Sequence, residues 1–342
     1  MTIEFKIETL LSRVLNPLSN FDETQIYAEI RTDPLTGRTS LVHSFGRESR
    51  RWSTPQLNEL IEKSLAGGCP FCPSSIDQLT PKFTPDLFPE GRFRLGECYV
   101  FPQIMPYANY SAVTVLSSQH FMSLTDFTQD ILTDGFSACQ TFLNRVFEYD
   151  PEIKYCYITW NYMPSAGGSL IHPHLQPHAE YTPSNYLREL TEASRRYYEL
   201  NQTNFWSDLI AKEVELGERY IGTVGDISWL STFAPKGLFI DLTAIFQGKN
   251  SILDLSPHDF DCFSQGLKRV LSYMSDQSLY SFNLALYFGV KGEDYFWTHA
   301  RIVSRFTHHL DSSDIGCTQL LLDEPICVVT PEDTCRELRE YF

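Results

Sequence analysis

The sequence predicts an α+β fold of two tandem modules, each an antiparallel sheet with packed helices. Length is the first reason: 342 residues make room for two domains of about 100–200 residues each. Period is the second, because short alternating segments flank longer stretches whose apolar residues are spaced three and four apart. Recurrence is the third: strand pair, helix, strand pair occurs once in each half. The expected boundary lies near residue 200, giving an N-terminal module over residues 1–200 and a degenerate second copy over 201–342.

Taken in order, YAEIRTDPLTGRTSLVHSF reads as strand, turn and strand, with the turn chemistry in DPLTG. A basic cluster, GRESRRW, follows. Residues 53–66 have a helical pattern that GG ends just before CPFC. ECYVFPQIMPYANYSAVTVLSS alternates well enough for two strands around a Pro-containing link, and residues 124–149 predict one long helix or a broken pair. KYCYITWNYM is a strand, PSAGGS a loop and LIHPHLQ a second strand, and residues 183–222 read as mostly helical. In the second half, ISWLSTFAPKGLFIDLTAI holds strands and SPHDFDCFSQGLKRVLSYM a helix N-capped by Ser256. YSFNLALYFG and YFWTHARIVSRF are strands, and TPEDTCRELREYF opens a short final helix.

Composition narrows the function. A formal charge of −16 argues against nonspecific nucleic-acid binding, which needs a basic face. The N-terminus lacks a secretory apolar core, and no stretch approaches the roughly 20 apolar residues of a spanning helix. Nine cysteines, scattered except for one close pair, fit reduced thiols in a cytoplasm better than a disulfide framework.

The chemistry concentrates in IHPHLQPHAEY, residues 171–181. His172, His174, Gln176 and His178 are two apart, so in a strand they share one face. Pro173 and Pro177 would confine such a strand to a sheet edge or to its own end. Rings on one face suit a metal or a phosphate, although a His-rich turn without a duty is the plainer alternative. Cys69 and Cys72 form half of a tetrahedral zinc site, with His120 and His172 as candidates for the rest; a CxxC also fits a redox pair. Asn161, Gly167, Gly168 and Ser169 precede the histidines in a small-residue turn whose N–H groups could approach a phosphate. A neutral imidazole beyond that turn is a nucleophile near pH 7, and Gln176 could donate to a phosphoryl oxygen as charge develops. Arg47, Arg50 and Arg51 offer positive charge, or else a solvated basic turn.

HPHLQ after NYMPSAGGS resembles the HPHxQ motif of the galactose-1-phosphate uridylyltransferase branch of the histidine-triad superfamily. The likeness spans most of the chain, from DPLTGRTSLVHSFGRESRRW through CPFC and VFPQIMPYANYSAVTVLSSQH to YFWTHARIVSRF and the closing helix. It implies two histidine-triad-like modules, the first catalytic. It implies one Zn2+ per chain on Cys69, Cys72, His120 and His172, His174 as the nucleotidylated nucleophile, and Gln176 holding the transferred phosphate. Arg47, Arg50, Asn161, Gly167 and Ser169 fall at substrate-binding positions around the nucleotide and its phosphates. His178 matches no family role, and a surface side chain is expected there. By the same likeness, the partners are a nucleotide sugar and a sugar 1-phosphate, and the assembly is a homodimer, with no nucleic acid or membrane involved.

The sequence also departs from the family. Gln103 stands where the family has a nucleotide-side Asn; Arg301 follows His299 where a second metal would want His-x-His, so one metal is expected. The hexose-contacting segment reads GCT at 316–318 and lacks the family's glutamate, with Glu324 the nearby carboxylate. Three activities remain open: ping-pong nucleotidyl transfer between nucleotide sugar and sugar 1-phosphate, phosphorolysis of an ADP-sugar or dinucleoside polyphosphate, and a non-catalytic zinc or nucleotide-binding protein.

Overall fold

A computed structural model describes residues 3–43, 54–306 and 314–342. A hairpin comes first: β1 (Lys6–Asn16) pairs along its whole length with β2 (Asp22–Thr32), and β3 (Thr39–His43) continues that sheet. Helix α1 (Thr54–Ala66) and the short α2 (Ile76–Leu79) lead to β4 (Phe93–Leu95), β5 (Cys98–Pro102) and β6 (Tyr110–Val115). Then come α3 (Gln129–Tyr149), β7 (Tyr155–Tyr162), β8 (His174–Glu180), α4 (Asn185–Asn201) and α5 (Phe205–Leu216). The second half runs β9 (Tyr220–Val224), β10 (Ile227–Ser231), β11 (Asp241–Phe246), α6 (Pro257–Asp276), β12 (Ser281–Tyr287) and β13 (His299–Arg305). It ends in α7 (Cys317–Leu321), β14 (Ile326–Cys327) and α8 (Pro331–Leu338).

The expected α+β architecture is present, and strands from both halves of the chain share one sheet. Its order is β4-β5-β6-β8-β7-β12-β13-β11-β10-β9, with every neighbour antiparallel. The halves meet where β7 pairs with β12, which puts Asn161 opposite Asn283. Helices α3 and α6 pack against each other and against the strands, over a core rich in Phe and Trp. Thr128 caps α3, and Ser256 with Asp259 forms a reciprocal capping box on α6. Gly135 lets α3 approach closely, since a Cβ there would lie 2.3 Å from Leu116 Cδ2. Helices α4 and α5 cover the other face of the second half, where Leu187, Leu190, Phe205 and Trp206 bury Leu230 and Ile245. No helix among the described residues is long and apolar enough to cross a membrane.

Three expectations need correction. Residues 220–224 are strand rather than the end of a helix, because pairing with β10 outweighs their local pattern. The strand carrying the histidines is not at an edge: β8 lies between β6 and β7. It tolerates Pro177 because its ladder with β6 is bridged at Ser111–His178 and Thr114–Leu175 but not in between. His172 lies just before the strand rather than in it.

Candidate active site

Alternation along β8 separates two jobs. Leu175, Pro177 and Ala179 are buried in one direction, with Leu175 and Ala179 in the main core, while His174, Gln176 and His178 point the other way. His174 begins the strand, and the residues before it are fixed by Leu116 N–H donating to the Pro173 carbonyl at 3.0 Å.

The metal-site expectation converges. Cys69 Sγ, Cys72 Sγ and one ring nitrogen each of His120 and His172 all lie within 4.8 Å of one another, forming the one such metal-capable group among the described residues. His172 Nδ1 is 3.6 Å from Cys69 Sγ and 3.8 Å from Cys72 Sγ, and His120 Nδ1 is 3.3 Å from Cys72 Sγ. A tetrahedral zinc with normal bond lengths sets S and N ligands about 3.6 Å apart, so the donor set fits. The protonation pattern fits as well. His172 Nε2–H donates to the Ser117 carbonyl at 2.8 Å, which leaves the Nδ1 lone pair facing the sulfurs. Burial and then Cys69 push the Cys72 thiol up to about 11, so holding thiolates together here calls for a cation. The knuckle is built locally by Cys72 N–H on the Cys69 carbonyl, and Ser75 and Ile76 N–H groups donate to the Cys72 carbonyl. Bound zinc would serve as a structural clamp on the segment leading to His174.

The surroundings of His174 are equally defined. His174 Nδ1 lies 2.7 Å from the His172 carbonyl, which only accepts, so the proton sits on Nδ1 and Nε2 keeps its lone pair. Burial lowers the pKa of His174, partly opposed by that hydrogen bond, so the ring is held neutral. Phe71, from within the CxxC, meets the ring edge-on at 5.2 Å. His174 opens into a cavity of about 330 Å³ that Asn161, Gly167, Gly168, Ser169 and Gln176 also line. All five expected residues of strand and loop are therefore gathered at one place. Gly168 must be glycine, since a Cβ would sit 2.8 Å from the Asn161 carbonyl oxygen. Met163, at φ +74°, is a non-glycine residue in the left-handed region, the kind of backbone outlier that clusters at functional loops. Arg47, Arg50 and Arg51 lie outside the described residues.

Two site residues escaped the sequence reading. Asn283 donates from Nδ2 to the Asn161 side-chain oxygen at 2.6 Å and to the Ala166 carbonyl at 2.8 Å. Arg305, paired with Asp314, donates to Asn283 Oδ1 at 2.8 Å. A carbonyl and a guanidinium thus fix which way Asn283 points, and Asn283 fixes Asn161. Asn161 Nδ2 then faces Gln176 Oε1 at 3.5 Å, a long contact that turns the Gln176 amide N–H groups toward the cavity. The only signal was a lone Asn in an otherwise apolar strand, YSFNLALY. Replacing Asn161 by Asp removes the donor to Gln176; any turnover at this cavity should then show kcat falling about tenfold to a hundredfold with little change in melting temperature.

His178 is the clearest correction. It is buried rather than on the surface, between Ser111 Oγ at 3.1 Å and Thr159 Oγ1 at 3.4 Å, with the Tyr157 ring 4.9 Å away. Burial pulls its pKa to about 4, so it stays neutral. Ser111 Oγ also accepts the Ala108 N–H at 3.2 Å, so His178 braces the loop that brings Ile104, Met105 and Tyr107 to the cavity. In the second module, His299 Nδ1–H donates to the Trp297 carbonyl and the ring stacks on Trp206 at 3.9 Å. Arg301 grips Asp241 through Nε and Nη2. Gly316 precedes the short α7, and Glu324 accepts from Thr39 Oγ1 at 2.9 Å.

Comparison with known proteins agrees with this architecture. No family model matches the chain. An uncharacterised protein of Archaeoglobus fulgidus is 29% identical over 345 residues, covering 99% of each chain. Among solved structures, a GalT-like protein from Arabidopsis thaliana superposes with a TM-score of 0.70 at 18% identity, covering 91% of this chain and 98% of that one. An ADP-glucose phosphorylase from Arabidopsis thaliana, solved with bound ADP-glucose, gives 0.70 at 17% identity, covering 92% and 98%. A uridylyltransferase gives 0.67 at 17% identity, covering 91% and 97%. Across more than nine-tenths of its length, the chain has the fold of these three proteins.

Proposed function

We propose that the protein is a nucleotidyltransferase that moves a nucleoside monophosphate from a nucleotide sugar to a phosphate-bearing acceptor through His174. The observation that carries this reading is the contact of His174 Nδ1 with the His172 carbonyl, which leaves Nε2 its lone pair on a ring that lines a cavity shared with Gln176 and a glycine turn. In the first half-reaction Nε2 forms a bond to the α-phosphorus, and the bond from phosphorus to the leaving sugar 1-phosphate oxygen breaks. In the second, an acceptor phosphate oxygen bonds to phosphorus and the N–P bond breaks, which returns the lone pair to His174. Gln176 donates to the phosphoryl oxygen as negative charge grows, and Ser169 with the 167–168 turn surrounds the phosphate. Gln103 lines the same cavity with a buried, unpartnered Oε1, which suits an N–H of a nucleobase. The likeness of fold to an ADP-glucose phosphorylase and a uridylyltransferase supports the substrate class.

Sugar 1-phosphate is the acceptor in the first reading. Inorganic phosphate is the second, favoured because GCT at 316–318 offers no carboxylate to sugar hydroxyls. Incubating the protein with UDP-glucose or ADP-glucose, and with phosphate or hexose 1-phosphate, tests both; turnover with none of the four pairs would remove the proposal. Arg47 and Arg50 take the nucleotide phosphates in this account. Changing either to Lys loses a bidentate contact, and kcat/KM should fall at least about tenfold without loss of fold.

The working form is a homodimer in a reducing, cytoplasmic setting. Supporting this, β1 is exposed along nearly its whole length and carries Ile7, Leu10, Leu11, Val14 and Leu15 at the edge of the β1-β2-β3-β14 sheet, an apolar edge that association would cover. All nine cysteines are free thiols. Sedimentation showing only monomer at micromolar concentration would remove the dimer.

A further inference from the structure

A larger cavity, of about 370 Å³, is lined by residues of both halves of the chain and shares no lining residue with the nucleophile cavity. Arg38, Lys236, Arg301 and Arg305 all line it. Three of these cations are already neutralised. Arg301 is paired with Asp241 at 2.8 Å, Arg305 with Asp314, and Arg38 with Glu189 at 2.8 Å and with Asp323. Asp33, also in the wall, uses one oxygen to accept from the backbone of Leu35 and Thr36 and from the Thr36 hydroxyl. Lys236 differs from the arginines. It has no ion pair among the described residues, and its Nζ lies over the Tyr186 ring, 3.3 Å from the centroid. An aromatic face compensates an ammonium only in part, and none of the wall's carboxylates (Asp33, Asp314 and Asp323) comes within ion-pair distance of Nζ among the described residues, so Lys236 keeps a charge awaiting a partner.

From this arrangement we infer that this cavity is a binding site for a small phosphate-bearing anion, with Lys236 as its main charge contact. The hydroxyls of Thr36, Thr39 and Ser40 already donate to Asp33, Glu324 and the Pro235 carbonyl, so the wall's further donor is the second amide N–H of Gln319, whose first is on the Asp314 carbonyl, and the volume admits more than a bare phosphate. The site also touches the machinery described above. Arg305 and Asn283 line this cavity, and Asn283 holds Asn161 on the other side of the β7–β12 seam. An occupant here therefore acts on the same amide chain that aims Gln176. The inference goes beyond the proposed transfer reaction and does not need it, since a phosphate can bind Lys236 whether or not His174 is a nucleophile.

Burial and then the Arg301 charge draw the Lys236 pKa to about 7; Asp241 and Asp33 oppose this, and Arg38 adds to it. Tyr186 faces the amine from α4, and Arg305, Asp314 and Asp323 complete the charged wall. A bound dianion would raise that pKa again, so binding should take up a proton above pH 7 and weaken as pH rises from 7 to 9.

The direct test reads Lys236 in the unmodified full-length protein. Acetylation by limiting acetic anhydride, mapped by peptide mass spectrometry, is followed with inorganic phosphate, glucose 1-phosphate or glucose present. Either anion should slow acetylation of Lys236 at least tenfold while glucose leaves it unchanged, and the anion that protects at lower concentration identifies the source. Calorimetry on His174→Gly should retain the binding, and Lys236→Met should weaken it at least tenfold while still forming a nucleotide adduct at His174. Absence of protection by both anions would overturn the inference, as would binding lost in His174→Gly and kept in Lys236→Met. Failure of the adduct in wild type would instead strike the proposed transfer reaction and leave this site standing.

Discussion

His174→Gly is expected to lower turnover at least about a thousandfold while leaving the fold and the metal site in place. The substitution deletes the reacting nitrogen, and loss of a nucleophile costs rate on that scale or more even when binding and oxyanion contacts remain. Its structural cost is small by comparison. One hydrogen bond to the His172 carbonyl disappears, worth about 1 kcal/mol, and a glycine in the strand costs roughly another 0.5–1 kcal/mol. The lost bond is to the backbone of His172 and neither change touches a metal-ligating atom, so elemental analysis should give the same metal content as wild type. The vacated space, beside Phe71 and open to the cavity, is where added imidazole should restore part of the transfer. Turnover within tenfold of wild type would show that another group attacks phosphorus.

The second large effect belongs to Cys72→Ser. A serine hydroxyl is not ionised near neutral pH and makes a poor zinc ligand, so the variant should lose its metal and at least about 3 kcal/mol of stability. The loss should spread, because the knuckle at 69–72, the start of α2 and the segment 172–174 are joined through these four ligands. Elemental analysis should give about one zinc per chain for wild type and near none for the variant, with a lower midpoint in thermal unfolding. Folded, carefully purified wild type without zinc would remove the metal from this account.

Most of the candidate site was legible because its residues are close in sequence and chemically unusual. CPFC and HPHLQ each announce themselves, and the glycine turn lies just upstream of the histidines. What the sequence hid depends on distance along the chain. Asn283 and Arg305 join the site only because β12 pairs with β7, a contact spanning more than a hundred residues with no local mark. His178 was misjudged for a related reason: spacing puts it on the face of His174, but only the neighbouring strands, through Ser111, Thr159 and Tyr157, decide that the face is covered there. Pro177 pointed to an edge strand because proline lacks an N–H; the actual solution, an unbridged stretch of the β6 ladder, is a property of the partner strand. Of the long β1–β2 hairpin only residues 27–32 read as strand; β1 gave no clear pattern, since its exposed face carries apolar and charged residues alike.

The central claim is that His174 carries the nucleotide, and the measurement that tests it most directly is mapping of the covalent intermediate. Wild type is mixed with a nucleotide sugar without acceptor, quenched at alkaline pH and analysed by intact-protein and peptide mass spectrometry. The account predicts one added nucleoside monophosphate per chain, on the peptide containing His174, stable in base and lost in acid as a phosphoramidate should be. It also predicts no adduct on His174→Gly. An adduct that forms equally on that variant, or that maps to another residue, would contradict it.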